Sequence, residues 1–146
     1  MASGLYFEAF HDVLFTTPTV VNMALSTNKV DLYLDAKTPV FESDAAYSAT
    51  NEVATATGYT RDTMTVGGTP TLTLVGTGAA TTLKYSWSTT VQWTAATFTA
   101  RGMILHCAAD NVPFCGVTFG ADYSCTNGTF TITAHSNGIW TIDLVP

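Results

Sequence analysis

Thr126-Asn127-Gly128-Thr129-Phe130-Thr131-Ile132-Thr133-Ala134-His135-Ser136-Asn137-Gly138-Ile139-Trp140-Thr141-Ile142-Asp143-Leu144-Val145 is the stretch whose reading decides the fold. Asn-Gly occurs in it twice, at 127–128 and 137–138. That pair is the preferred centre of a two-residue type I′ hairpin, because both turn residues take positive φ there. Trp140, Ile142 and Leu144 face one way and Thr141 and Asp143 the other, the period of a half-buried strand. Hairpins imply antiparallel neighbours. Working outward, Val30, Leu32 and Leu34 alternate with Asp31, Tyr33 and Asp35 in the same manner. Thr60–Val66, Thr71–Val75, Thr82–Trp87, Val91–Trp93, Ala96–His106 and Phe114–Phe119 read as further strands, with Gly67-Gly68 and Gly76-Thr77-Gly78 as turns. Leu5–Phe15 is the one good helix candidate, with Ser3 placed to cap it and Thr17-Pro18 to end it. No helical crossovers are available to join parallel strands. The expectation is an all-β chain: a single antiparallel β-sandwich of about eight short strands over residues 1–146. It carries a short N-terminal helix or arm (1–17) and a long loop (38–57).

Composition narrows the partners. Charged residues are 11% of the 146, hydrophobic ones 47%, and 28 are Thr. Thr is β-branched and suits a pleated, half-exposed surface. So little charge leaves an exterior of hydroxyls and methyls, which is less costly to desolvate than a charged one and is expected where neighbouring proteins cover it. A net charge of −6 with no basic run argues against nucleic acid. The longest nearly apolar stretch, Gly102–Ala109, is too short to span a bilayer, and Met1-Ala2-Ser3-Gly4 lacks the basic start of a secretory signal.

The residues that could carry chemistry do not assemble into a known site. Phosphate loops, nucleophile elbows and His-Glu-x-x-His are all missing. His11-Asp12 diverge around a helix, and His106-Cys107 point to opposite faces of a strand, so neither pair works as a dyad. Cys107, Cys115 and Cys125 contain no Cys-x-x-Cys, match no zinc pattern with His106 or His135, and read as reduced, buried thiols. Glu42, Asp44 and Glu52 match no calcium loop. No catalytic residue, metal or cofactor is expected. Arg61 and Arg101, the only arginines, are expected to pair with carboxylates or backbone carbonyls, or to anchor an interface. Tyr85, Trp87 and Trp93 are either core residues or an exposed aromatic platform for sugars.

Several motifs read in order carry a resemblance. Asn51-Glu52-Val53 with Gly58-Tyr59-Thr60-Arg61, then Val91-Gln92-Trp93 with Thr97-Phe98-Thr99-Ala100-Arg101-Gly102, and finally Phe119-Gly120, Asn127-Gly128-Thr129-Phe130-Thr131-Ile132 and Asn137-Gly138-Ile139, together resemble the signature of small structural proteins of tailed-bacteriophage virions. The chain departs from that pattern at Leu105-His106-Cys107, where an aromatic-Asp pair often stands. The resemblance implies a virion component and not an enzyme, with Arg61, Arg101, Trp93, Glu52 and Tyr59 as framework or interface residues. The expected role is a capsid decoration (cement) protein, a homotrimer bound to the major capsid protein on the outer shell. Met1–Ser3 or the 38–57 loop would be its clasp. A minor tail, adaptor or tail-appendage subunit is the alternative within the virion. A carbohydrate-binding host-attachment module, using Tyr85, Trp87 and Trp93, is the alternative outside that class.

Overall fold

The computed structural model describes residues 1–15, 21–77 and 81–143. It is mostly β, with two antiparallel sheets sharing one hydrophobic core. The larger sheet has the order β1-β6-β5-β2, from Gly4–Leu5 (β1), Pro113–Ile132 (β6), Val91–His106 (β5) and Lys29–Tyr33 (β2). The smaller has the order β3-β4-β7, from Pro70–Val75 (β3), Thr82–Trp87 (β4) and Trp140–Asp143 (β7). One helix, α1, runs over Phe7–Phe15. The expected end of the helix at Thr17-Pro18, the turn residue Gly78, and Leu144 and Val145 lie outside the described residues.

Strand identity follows side-chain alternation where one face is wet. In β5, Val91, Trp93, Ala96, Phe98 and Ala100 are buried, whereas Gln92, Thr94 and Thr97 are exposed. The buried set packs with Leu32, Tyr85, Trp87, Leu105, Phe114 and Ile132 into the main core. Burying each of the large apolar side chains stabilises the fold by about 1.5–3 kcal/mol.

The structure corrects the expected strand list in several places. Val91–Trp93 and Ala96–His106 are a single strand, as are Phe114–Phe119 and Thr126–Ile132, so seven strands are described instead of about eight. Asn127-Gly128 is not a hairpin turn. It lies inside β6, where Gly128 pairs with Ala96 of β5. Trp93 pairs with Phe130 and Phe98 with Cys125, so an extra residue in β5 near Ala95 (φ 50) is answered by one in β6 near Asn127 (φ 47). Two bulges cancel, and the hairpin pair serves the second of them, since Asn tolerates the left-handed region almost as it would in a turn. Thr60–Val66 is not a strand either: residues 61–63 form a turn, and only Thr65 bridges to Lys29. Asn137-Gly138 does reverse the chain, but with Ser136 and Asn137 central. Gly138 donates its N–H to His135 O at 2.8 Å and takes φ 88 as the closing residue.

The N-terminus differs as well. Ser3 does not cap α1; its Oγ accepts a hydrogen bond from the Thr118 N–H at 2.8 Å and, with β1 on Gly116 and Cys115, fastens the arm to β6. β2 stops at Tyr33, and Leu34 is exposed. Val30, Asp31, Leu32 and Tyr33 are all buried, because β2 is covered on both faces. Val30 and Leu32 enter the main core, while Tyr33 joins Tyr6 and Ile104, with Met1 and Phe41 against them, in a second small cluster. The covers on that second face are the N-terminal arm and the 38–57 loop.

Candidate functional site

The second face of β2 and β5 carries the densest set of ionisable groups. Asp31 on β2 and His106 on β5 point to it, since Asp31 pairs across the ladder with Ile104, two residues from His106. His106 is 0% and Asp31 1% exposed. The His106 Nδ1 lies 2.8 Å from Asp31 Oδ2, and its Nε2 lies 3.3 Å from Asp62 Oδ1. Both contacts are close without the alignment of hydrogen bonds. Asp62 sits at φ 53, a left-handed position that Asp accepts more readily than most residues. From there its N–H donates to Asp31 Oδ1 at 3.0 Å. The ring of Tyr47 covers the imidazole, 4.7 Å between centroids.

Beside this lies Glu52, 2% exposed. Tyr47 donates its hydroxyl to Glu52 Oε2 at 2.5 Å, and Tyr59 donates to Oε1 at 2.7 Å while accepting the Leu32 N–H at 3.0 Å. Arg61 donates from Nε to Val53 O at 3.0 Å and from Nη2 to Glu52 O at 3.1 Å, with Nε 3.8 Å from Glu52 Oε2. Burial pushes the Glu52 carboxyl above the usual carboxylate range, and Asp31 adds to that. The two tyrosine hydroxyls and Arg61 pull the other way and do not cancel it. Burial and the Glu52 charge push both Tyr47 and Tyr59 upward in turn.

Every member of the Asn51-Glu52-Val53 and Gly58-Tyr59-x-Arg61 motifs takes part in this framework. Asn51 O accepts from the Leu34 N–H and the Val53 N–H donates to Leu32 O, which lays the segment along the end of β2. Gly58 takes φ 76 against β5, where a Cβ would lie 2.6 Å from the Ala96 Cα. Only glycine fits there. Trp93 belongs to the main core at 2% exposure, against Tyr59, Phe98 and Phe130. Arg101 is separate from Arg61. Its Nε reaches Asp35 Oδ1 at 2.9 Å and its Nη1 reaches Asp122 Oδ1 at 3.5 Å. Both arginines therefore meet internal partners, carbonyls for one and carboxylates for the other.

The aromatic platform is not formed. Tyr85, Trp87 and Trp93 are 1%, 5% and 2% exposed, so no flat ring face is offered to a sugar. Tyr85 instead stacks on Trp140 at 5.4 Å and donates its hydroxyl to Met23 O. Among the described residues no group of three or more His, Cys, Asp and Glu is placed to hold a metal ion. Cys107 and Cys115 are buried and Cys125 half-buried, and burial raises the Cys115 thiol to about 12.

Sequence reasoning missed Asp31, Tyr47, Asp62 and His106 as a unit. A signal was present: His106 closes the apolar run from Gly102, and an imidazole in such a run needs a polar partner once buried. The alternation in β2 hid that partner by assigning Asp31 to solvent. The cluster joins β2, β5, the 61–63 turn and the 38–57 loop, and its imidazole is fully buried. Two clefts, of about 280 and about 310 Å³, lie elsewhere, by Leu5, Val117 and Trp140 and by Lys84 and Asp143. Comparisons with protein-family models, with curated proteins and with solved structures find no match for this chain.

Proposed function

We propose that this chain is a structural protein of a tailed-bacteriophage virion, a capsid decoration (cement) protein that binds the outer shell and bridges capsid subunits. The observation that carries the reading is the division of labour between motif and surface. The motif residues are used up in internal contacts around Glu52, Tyr59 and Arg61, while the uncharged strand β3 is open. Its Leu72, Leu74 and Val75 are 57%, 66% and 46% exposed, and Thr71 and Thr73 are exposed beside them. Exposed apolar side chains on an uncharged edge strand suit contact with another protein. β6 is also exposed over most of Gly120–Thr131, a largely polar stretch with Tyr123 52% exposed beside Asp122.

The mechanism is mass action. A protein that binds only the assembled shell stabilises it by RT ln(1 + [L]/Kd), about 2.7 kcal/mol per site at a hundredfold excess over Kd. Repetition over many sites, with copies of the chain joined as a homotrimer, multiplies modest contacts into avidity. No cofactor and no covalent chemistry is required. The loop 38–57 serves as the clasp through its exposed Val40, Glu42, Ser43, Ala45 and Ala46. The test is to add the purified protein to shells that lack it and follow co-sedimentation and the temperature at which the shells rupture. Saturable binding with a raised rupture temperature is expected. Binding to tails and not to shells would move the protein to the adaptor role, and binding to neither would end the virion reading.

A further inference from the structure

We propose that β3 is a self-recognition edge: it pairs antiparallel with β3 of a second copy of this chain about a twofold axis at Thr73, joining the two small sheets into one of six strands. The direction of the β3 backbone groups comes first. Tyr85 O accepts the Ile139 N–H at 2.8 Å, so Tyr85 turns its backbone groups to the β7 side of β4. Lys84 and Ser86, one residue to either side, turn theirs to β3, where Thr73 and Thr71 are their partners. Leu72 and Leu74 therefore direct their N–H and C=O groups away from β4, to the open edge of the sheet. Pro70 shares that phase, so the N–H it lacks is one that β4 does not need.

The strand matches itself. Thr73 has a leucine on each side and a β-branched residue, Thr71 or Val75, beyond each leucine. Opposed to a second copy, Leu72 meets the copy's Leu74 and Leu74 meets its Leu72. Each is a hydrogen-bonded pair that exchanges two N–H···O bonds through the groups left free at the edge. Thr73 meets its own equivalent in a non-hydrogen-bonded pair, where Cα atoms stand about 4.5 Å apart. Leu72 pairs with Tyr85 and Leu74 with Leu83, so both leucines extend the apolar inner face of the small sheet past its cover. They are 57% and 66% exposed in one copy, and the pairing sets them against each other.

Charge permits the match. Residues 70–77 carry none, although the chain has a net charge of −6. The one charged side chain on β4 is Lys84, opposite Thr73. Its equivalent would stand three strand spacings away, about 14 Å, beyond the screening length of about 8 Å at physiological salt. Edges are usually kept apart by a Lys or Pro within the strand or by a bulge. None of these guards β3: its register with β4 runs unbroken from Pro70 to Val75, and its proline holds the first position. A six-residue strand is a small part of the about 20–30 residues a side in a standard interface, so the pair is weak in dilute solution and gains from copies held side by side. The pairing belongs to the isolated chain and does not depend on the virion reading; on a shell it would tie one trimer to the next through a twofold axis.

The experiment uses the full chain alone, so its outcome is independent of shell binding. Thr71→Cys, Leu72→Cys and Thr73→Cys are made in a Cys125→Ser background, and disulfide-linked dimer is followed under oxidised glutathione. Each rate is divided by that thiol's own rate of reaction with glutathione. Thr73→Cys places two thiols at a spacing a disulfide spans, whereas two copies of Leu72→Cys are offset diagonally by about 7–8 Å and two of Thr71→Cys by more. The expected result is a link at position 73 that forms about tenfold faster or more than at 71 or 72. In sedimentation equilibrium the parent should gain dimer as its concentration rises toward millimolar. Leu72→Pro removes an outward N–H and no bond to β4, so it should abolish that dimer with the fold retained in thermal unfolding. Leu74→Lys should abolish it as well, without altering the backbone. Equal rates at the three positions overturn the proposal, as does a dimer that survives both Leu72→Pro and Leu74→Lys. A chain that stays monomeric with no link at position 73 also overturns it, and attachment of that chain to shells through β3 would assign the strand to a shell protein.

Discussion

At Tyr59 the two halves of the framework meet: its hydroxyl bridges the Leu32 N–H and the Glu52 carboxyl, and its ring lies against Trp93 and Phe98. The apolar half is tested at Trp93. Trp93→Ala removes a fully packed ring and should cost about 3–5 kcal/mol by denaturant unfolding, with any partner binding lost only through unfolding. The polar half is tested at Glu52. Its proton affinity is raised in the folded state, so ionising it opposes folding. With respect to this group, stability is highest below its ordinary value of 4.5 and declines as pH climbs through the raised one. Glu52→Gln should flatten that decline in a series of unfolding curves across pH; an unchanged slope would contradict the assignment. For Trp93 and the two arginines residue type left two readings open, and the structure places Trp93 in the core and each arginine on partners within the chain. The Asp31–His106 contact was not legible. Alternation marks a buried face only when the other face is wet, and both faces of β2 are covered.

The elements show where local signals compete with long-range pairing. Periodicity identified β2, β3 and β4, and the start of β7, within a residue or two, because each is short and regular. It split β5 and β6, whose bulges at Ala95 and Asn127 interrupt alternation without ending the strand. A third irregularity follows between the pairs Ala100–Tyr123 and Gly102–Thr118, where β6 carries three more residues than β5. Gly120 at φ 81 lies inside it. Gly102 has its own requirement, since a Cβ there would lie 2.5 Å from the Val117 O and from the Met1 Sδ. Asn-Gly favours positive φ and is indifferent to whether a turn or a bulge uses it, so the strongest short-range signal in the chain indicated a hairpin that is not there. The prediction at this scale concerns the open strand. Leu72→Lys and Leu74→Lys on β3 replace exposed side chains and should change stability by no more than about 0.5 kcal/mol. Shell binding or self-association, read by sedimentation, should fall sharply. Loss of stability with binding intact would mean that β3 is core in the functional state.

For the whole molecule, the all-β, two-sheet architecture was legible from turn chemistry, Thr content and the lack of crossovers. The role proposed for it draws on three features: an interior whose ionisable groups are fastened to one another, an exterior with few charges, and strands left open at the edge of each sheet. Low charge at the surface makes contact with other proteins less costly, and a net charge of −6 disfavours the phosphates of nucleic acid. The most direct measurement is cryo-EM of purified particles of the encoding phage, with the polypeptide composition of the same particles read by mass spectrometry. The account predicts density matching two stacked antiparallel sheets on the outer shell, three copies around a local threefold, at a copy number fixed by the lattice. Particles that mature fully and contain none of this chain would contradict it.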